Sequence, residues 1–312
     1  MHILLTGGCG YKGSILTQRL LEEGFDVTVF DIMWFGNHLK AHKHLKVMEG
    51  DIRDTASIPM DGVDAVIHLA NIANDPCGEL NSKLAWETNV LASMGIMEKA
   101  IAYNVKRFLF ASSGSVYGVK EEDQVTEGLS LVPISDYNKT KMISERVFMS
   151  YADSIAFTSI RPATVCGYSP RMRLDVSVNM LTMQALKNGR ITVFGGQQTR
   201  PNIHIRDIAN VYLHFLKQPA LTGIYNAGFE NISILDIADA VVDRVAAEIV
   251  VTESNDPRSY RMNSDKLLAT GFKPGFTVQD GINDVIEAYT EGAIDDQDIC
   301  YNIRTMKNLN IQ

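Results

Sequence analysis

Tyr137 and Lys141 stand four residues apart in Tyr137-Asn138-Lys139-Thr140-Lys141, a spacing that puts both side chains on one face of a helix. A phenol titrates near 10 in water, too high for a base at neutral pH, but nearby positive charge favours the phenolate. Lowering that value by about three units takes about 4 kcal/mol, which two partly desolvated cations can supply. Tyr137 is therefore a candidate general base and Lys141 the cation that tunes it. The spacing alone also suits an ordinary surface helix. Its company is Ser112-Ser113-Gly114-Ser115-Val116-Tyr117-Gly118, which follows the apolar run Arg107 to Phe110. In an open parallel sheet ligands bind beyond the carboxyl ends of such strands. A hydroxyl at Ser113 can share a substrate oxygen with Tyr137, whereas Ser115 suits the capping of a loop.

A second constellation binds rather than reacts. The run Ile3-Leu4-Leu5 leads into Thr6-Gly7-Gly8-Cys9-Gly10-Tyr11-Lys12-Gly13 and then a helical stretch. Gly7, Gly10 and Gly13 allow a tight turn and let backbone N–H groups and the helix N-terminus approach a pyrophosphate. Asp31 closes the second apolar run. A carboxylate there accepts both hydroxyls of an adenosine ribose and repels a 2′-phosphate, which favours NAD over NADP. Asp51-Ile52 after the third run can border the adenine or simply form a turn. Lys12 can reach a cofactor phosphate or point to solvent.

Elements must bring these residues together. From residue 1 to about 165, short β-rich runs alternate with helical ones, the pattern of βαβ units and a parallel sheet. The expected strands are at 3–5, 27–30, 46–48, 65–69, 107–110 and 156–160, with helices near 13–23, 81–103 and 136–152. After Arg161-Pro162 the rhythm changes. Gly167 to Arg173 reads as a loop, followed by helices near 176–187, 207–217, 234–246, 264–269 and 279–290 and strands at 191–194 and 224–226. The fold class predicted is α/β, a doubly wound parallel sheet at 1–165 with a contribution from about 203–228, carrying a smaller α+β lobe at 166–312.

Composition narrows the partners. In 312 residues, 29 Lys and Arg against 37 Asp and Glu give a net charge of −8, which argues against a nucleic-acid surface. No apolar run approaches the roughly 20 residues of a membrane span, and the N-terminus enters a strand at once, so a cytoplasmic location is expected. Cys9, Cys77, Cys166 and Cys300 lie far apart without metal-ligand spacing and are expected as free thiols; no metal site is predicted.

Together with Asp51-Ile52, His68-Leu69-Ala70, Arg161-Pro162 and Arg200 to Asp207, these motifs resemble the extended short-chain dehydrogenase/reductases of the sugar-nucleotide epimerase/dehydratase type, over nearly the whole chain. The resemblance implies a Rossmann domain holding NAD and a C-terminal lobe holding a nucleoside diphosphate sugar. It makes Tyr137 the base, Lys141 the holder of the nicotinamide ribose, and Ser113 the hydrogen-bond partner of the reacting oxygen. Gly7, Gly10, Tyr11, Lys12, Gly13, Asp31, Asp51, Ile52, Leu69, Ala70, Ser112 and Pro162 would complete the cofactor site. Asn74, Thr164, Asn179, Arg200 and Arg258 would face the substrate, arginines being suited to a diphosphate. A homodimer through the helices near 81–103 and 136–152 is also implied.

Departures from the family pattern matter too. Sugar-nucleotide dehydratases place an Asp-Glu pair after the active-site hydroxyl, where this chain has Gly114 and Ser115, so dehydration is disfavoured. The amide that many 4-epimerases carry after strand six is Thr164, and the usual apolar residue of the glycine loop is Lys12. His68, in an apolar strand, is expected as a core residue. Asn74-Asp75-Pro76 can face the sugar or serve a turn, and Arg171 and Arg173 can approach phosphates or the base. The function expected is NAD-dependent 4-epimerisation through a 4-keto sugar. A C4 dehydrogenase or ketoreductase that releases its product shares every motif. A non-catalytic NAD sensor is the reading from another class, and the presence of Tyr137 and Lys141 speaks against it.

Overall fold

The structure is a computed structural model that describes residues 1–253 and 259–311. The chain runs through β1 (His2–Thr6), α1 (Tyr11–Glu22), β2 (Asp26–Asp31), β3 (Leu45–Glu49), β4 (Ala65–His68), α2 (Asp75–Leu80), α3 (Ser82–Trp86), α4 (Ser93–Ala102), β5 (Arg107–Ala111), α5 (Asp136–Met149) and β6 (Ala156–Pro162). There follow β7 (Thr164–Cys166), α6 (Ser177–Asn188), β8 (Arg190–Phe194), β9 (Thr199–His204), α7 (Ile205–Lys217), β10 (Gly223–Ala227), β11 (Glu230–Ser233), α8 (Ile234–Val242), β12 (Glu248–Thr252), α9 (Asp265–Leu268), α10 (Val278–Thr290) and α11 (Asn302–Asn308).

Seven of these strands form one parallel sheet in the order β10-β6-β5-β4-β1-β2-β3. Its central strands are apolar on both faces because both faces are covered. Leu5, Val29 and Ile67 pack toward Leu16 and Leu20 of α1 and Val211 and Phe215 of α7. Leu4, Val66, Phe108 and Phe110 face Ile96 and Met97 of α4 and Phe148 of α5. The doubly wound α/β fold expected from the sequence is thus the one observed. The lobe adds a three-stranded sheet, β11-β9-β7, and the parallel pair β12-β8, packed with α6, α8 and α10.

The helix expected near 81–103 is observed over residues 82–102: Asn81 caps its start by accepting from Leu84 N at 2.8 Å, and residues Glu87–Ala92 form a π-helical turn that joins α3 to α4 without a break. Within that turn the buried Asn89 reaches back to bond Ile72 N at 2.7 Å. The run at 224–226 lies in the stretch of about 203–228 expected to contribute to the first domain, and as β10 it adds a seventh strand to the central sheet beside β6. Strands β7, β9, β11 and β12 and helices α2 and α11 were not foreseen. Four are short strands with little periodicity, and β9 contains Pro201, which ordinarily argues against a strand. No helix among the described residues is long and apolar enough to cross a membrane.

Candidate active site

The carboxyl ends of β1, β2, β4 and β5 open into a cleft of about 480 Å³, closed on its other side by the lobe. The glycine loop forms its floor. Gly7 has φ +74°, and a side chain there would put Cβ 2.6 Å from Ala70 N; at Gly13 it would lie 2.2 Å from the Gly7 carbonyl oxygen. The turn therefore packs flush against Leu69-Ala70. Helix α1 starts without a side-chain cap, so its first N–H groups are left for an anion. Asp31, at the end of β2, accepts from Cys9 N at 2.9 Å and Met33 N at 2.8 Å. Burial raises its pKa, with the two N–H groups and Arg171 acting the other way. On the opposite wall Ser112 lies in the cleft lining with its hydroxyl buried and without a partner among the described residues. A glycine cradle, an acid at the ribose position and an orphaned hydroxyl fit a dinucleotide.

At the far end Ser113 and Tyr137 meet, while Lys141, expected beside them, is not among the residues that line the cleft. Ser113 caps a short turn at Gly114–Tyr117, and its hydroxyl lies 2.7 Å from that of Ser115, which is bonded in turn to Asn138 of α5. Ser135 starts α5 by accepting from Asn138 N at 3.2 Å and donates to Asp75 at 2.7 Å. This chain of bonds fixes the serine loop to the helix that carries the base. Burial raises the Tyr137 pKa; Arg173 and the Ser113 hydroxyl pull it down and Asp75 pushes it up. Lys141 is 2% exposed, donates to the Ala111 carbonyl at 2.7 Å and sits over the Phe110 ring. Burial, then Lys12, pushes its pKa well below the ordinary lysine value. The ammonium is thus a poorer partner for the phenol in the bare protein than the sequence suggests, and Arg173 is the first cation that lowers Tyr137.

Among the other expected residues, Leu69, Ala70, Asn74, Pro162, Thr164 and Arg200 line the cleft. Asp51 does too, but its carboxylate is held by Arg53, with Nε at 2.9 Å, and against the opposing effect of burial this keeps its pKa low. Ile52 is buried at the cleft wall. Asn74 uses both ends of its amide, accepting from Cys77 N at 3.0 Å and donating to Asp175 at 2.9 Å, with φ at +75°. Asn179 must be corrected: it is fully buried outside the cleft lining, with Oδ1 accepting from Gly167 N at 2.9 Å and Nδ2 donating to the Tyr11 hydroxyl at 3.0 Å and the Arg173 carbonyl at 2.9 Å. It shapes the loop that faces the cleft. Tyr11 itself donates to the Gly167 carbonyl at 2.7 Å and so joins the first helix to the lobe. Lys12 points into the cleft rather than to solvent, and burial and Arg173 push its pKa down to about 8. Arg258 lies outside the described residues.

His68 is a satisfied core residue, its ring nitrogens 2.6 Å from Thr6 Oγ1 and 2.7 Å from Ser93 Oγ. All four cysteines are buried free thiols. Sequence reasoning missed Phe35, Asp175, Tyr260, Asn302 and Met306 in the lining. Phe35 stacks under the Arg171 guanidinium at 3.8 Å, and Arg171 donates to Asn302 at 2.6 Å, so the loop after β2, the lobe and α11 meet across the cleft. Of these only Asp175 had a local signal, a carboxylate two residues from Arg173.

Comparison with known proteins places this geometry. The profile of the NAD dependent epimerase/dehydratase family matches residues 3–228. The UDP-glucose 4-epimerase of Lactobacillus helveticus is 27% identical, over 92% of this chain and 95% of its own. The crystal structure of the Thermus thermophilus UDP-glucose 4-epimerase in complex with NAD matches with a TM-score of 0.82 at 26% identity, over 94% of this chain and all of that one. The UDP-glucuronic acid 4-epimerase of Bacillus cereus, in complex with UDP-glucuronic acid and NAD, matches with a TM-score of 0.83 at 25% identity, over 93% of this chain and 99% of that one.

Proposed function

The chain belongs to the NAD-dependent epimerase/dehydratase family, and within it we propose that it inverts the C4 hydroxyl of a nucleoside diphosphate sugar through a 4-keto intermediate. The named relatives, UDP-glucose 4-epimerases among them, support this substrate class. The observation that carries the reaction is the pairing of Ser113 with Tyr137 across the cleft, in a loop where Gly114 and Ser115 stand in place of a dehydratase's acid pair. A Cβ at Gly114 would lie 2.5 Å from Met262 Cε and 3.1 Å from the Pro162 carbonyl, and Ser115 is spent on Ser113 and Asn138.

In this reading Gly7, Gly10, Gly13 and the α1 N-terminus hold the cofactor's pyrophosphate, Asp31 its adenosine ribose, Lys141 the nicotinamide ribose, and Ser112 and Pro162 the ring. Bound NAD would supply a hydride acceptor and later donor at C4, and its positive charge would add to that of Arg173 near the buried phenol. Ser113 holds the C4 oxygen, and Tyr137 takes its proton and returns it after the sugar has turned. Arg200, from β9, is assigned to the substrate diphosphate. Thr164 and Asn74 border the sugar. The Rossmann unit is assigned to 1–165 with α7 and β10, and the lobe to the remainder. Exposed Leu91, Tyr103 and Met149 on the outer helices support a homodimer there, and light scattering would measure its mass.

The test is proton NMR of UDP-, GDP-, CDP- and dTDP-hexoses incubated with the purified protein without added cofactor, with absorbance at the reduced-nicotinamide band followed in parallel. Conversion of one sugar to its C4 epimer without lasting absorbance is the expected result. Accumulation of a 4-keto sugar with stoichiometric absorbance would instead make the protein a C4 dehydrogenase.

A further inference from the structure

Building on that C4 reading, we propose that Lys12 and Arg173 form a binding site for a second anionic group on the substrate, a carboxylate carried by the hexose itself. The substrate is then a nucleoside diphosphate uronic acid. Arg173 is held by one edge only: Nε donates to Asp175 Oδ1 at 2.6 Å, and the other Asp175 oxygen accepts from Asn74 Nδ2 at 2.9 Å and Asn302 N at 3.2 Å. The two terminal nitrogens of this guanidinium have no hydrogen-bond partner among the described residues, and the side chain lines the cleft. Lys12 lines the same cleft, and its ammonium has neither hydrogen bond nor ion pair among the described residues. A planar fork beside a point charge is a donor set matched to a carboxylate.

The position of the pair decides which anion it takes. Asp175, which holds Arg173, is bonded to Asn74 at the start of α2, and α2 lies against Tyr137, a Cβ at Gly78 standing 3.0 Å from Tyr137 N; Arg173 therefore sits at the end of the cleft where the base lies, with Lys12 beside it. Arg171, by contrast, acts on Asp31 and stands toward the adenosine end. The pyrophosphates have other donors in the α1 N-terminus and Arg200. In a uronic acid the carboxylate is attached to C5, the neighbour of C4, so binding C4 at Tyr137 brings the carboxylate close to the base. Burial first and Arg173 second lower Lys12 to about 8, and an anion between the two cations would oppose both effects. Asp75 and Asp175, two carboxylates of the cleft lining, are already engaged by Ser135 and by Arg173.

The experiment is calorimetric titration of the NAD-loaded protein with UDP-glucuronate and UDP-glucose, which differ only at that carboxylate. At least about tenfold tighter binding of the acid is expected, with the preference falling about tenfold in Lys12→Met while bound NAD, measured after denaturation, is retained. Arg173→Lys, which keeps the charge and loses the fork, should also reduce the preference. Equal affinities, tighter binding of the neutral sugar, or binding of neither overturns the proposal. So does a Lys12→Met variant that loses NAD but keeps the preference, which would give Lys12 to the cofactor phosphate. Preference for the acid without C4 inversion would leave this site standing and remove the reaction proposed above; inversion of UDP-glucose without preference would do the reverse.

Discussion

Glu145→Gln tests whether the catalytic helix is held by a buried ion pair. Positions 137, 141 and 145 share one face of α5, and the Glu145 and Arg161 side chains are 0% and 2% exposed. Glu145 accepts from Arg161 Nε at 3.1 Å and from Ser159 Oγ at 2.8 Å, while Arg161 donates to the Tyr117 hydroxyl at 2.7 Å, which donates to Asn226 Oδ1 at 2.7 Å. Burial works against the arginine's charge, yet Glu145 holds its pKa above the ordinary value. At 3.1 Å and an effective dielectric of about 20, the pair's attraction is about 5 kcal/mol. Removing the carboxylate's charge leaves the guanidinium buried without a counter-charge, a loss of about 3–5 kcal/mol out of a total of about 5–15. In a thermal melt Glu145→Gln should lower the midpoint by about 5–10 °C. The double substitution Glu145→Leu with Arg161→Met should recover more than half of it, since the desolvation cost goes with both charges. A single variant within about 2 °C of wild type, or a double variant no better than the single, would refute the reasoning.

Three further outcomes are expected from the same geometry. Tyr137→Phe should bind nucleotide sugar with unchanged heat of binding while turnover falls about 100- to 10,000-fold, measured by the NMR assay. Gly13→Ala should abolish NAD binding in calorimetry, because its Cβ would meet the Gly7 carbonyl oxygen at 2.2 Å and Gly8 backbone atoms at 2.7 Å. His68, pushed to about 3 by burial, should make the protein acid-sensitive. The unfolded chain takes up this proton below about 6.5 and the folded one only near 3, so the contribution is complete above 6.5 and is lost as pH falls through that window. About 2 kcal/mol should be gone by pH 5, and the drop in stability between pH 7 and 5 should be smaller in His68→Gln.

What was legible in the sequence follows from how each feature is encoded. Glycine spacing after β1, the acid closing β2 and the Tyr137–Lys141 face are local patterns, and local patterns survive translation into structure. The burial that raises the Tyr137 phenol and depresses Lys141 is not local: it comes from packing of α5 against α2, α3 and the π-helical turn, and of Lys141 against the end of β5. Asn179 shows the same limit, since an amide at the right sequence position can serve a ligand or the backbone, and its neighbours Gly167 and Tyr11 decide for the backbone. The contact of Phe35 with Arg171 joins residues more than a hundred positions apart, which no periodicity announces. Likewise Lys12 could be read only as ambiguous until the loop carrying Arg173 was seen beside it.

The last strand of the central sheet has a consequence for how the protein is made. Strand β10 pairs with β6 from Gly223–Thr158 to Ala227–Pro162, and its Asn226 side chain bonds the Val125 and Asn263 carbonyls and the Tyr117 hydroxyl. During synthesis about sixty residues, the first part of the lobe and α7, must leave the ribosome before this edge is covered. Until then β6 presents an open row of backbone donors and acceptors, and Tyr117 lacks its amide partner. A truncation at residue 165 would stop the nascent chain in that state, a ready template for strand-to-strand aggregation, whereas one ending after Ala227 would close the edge.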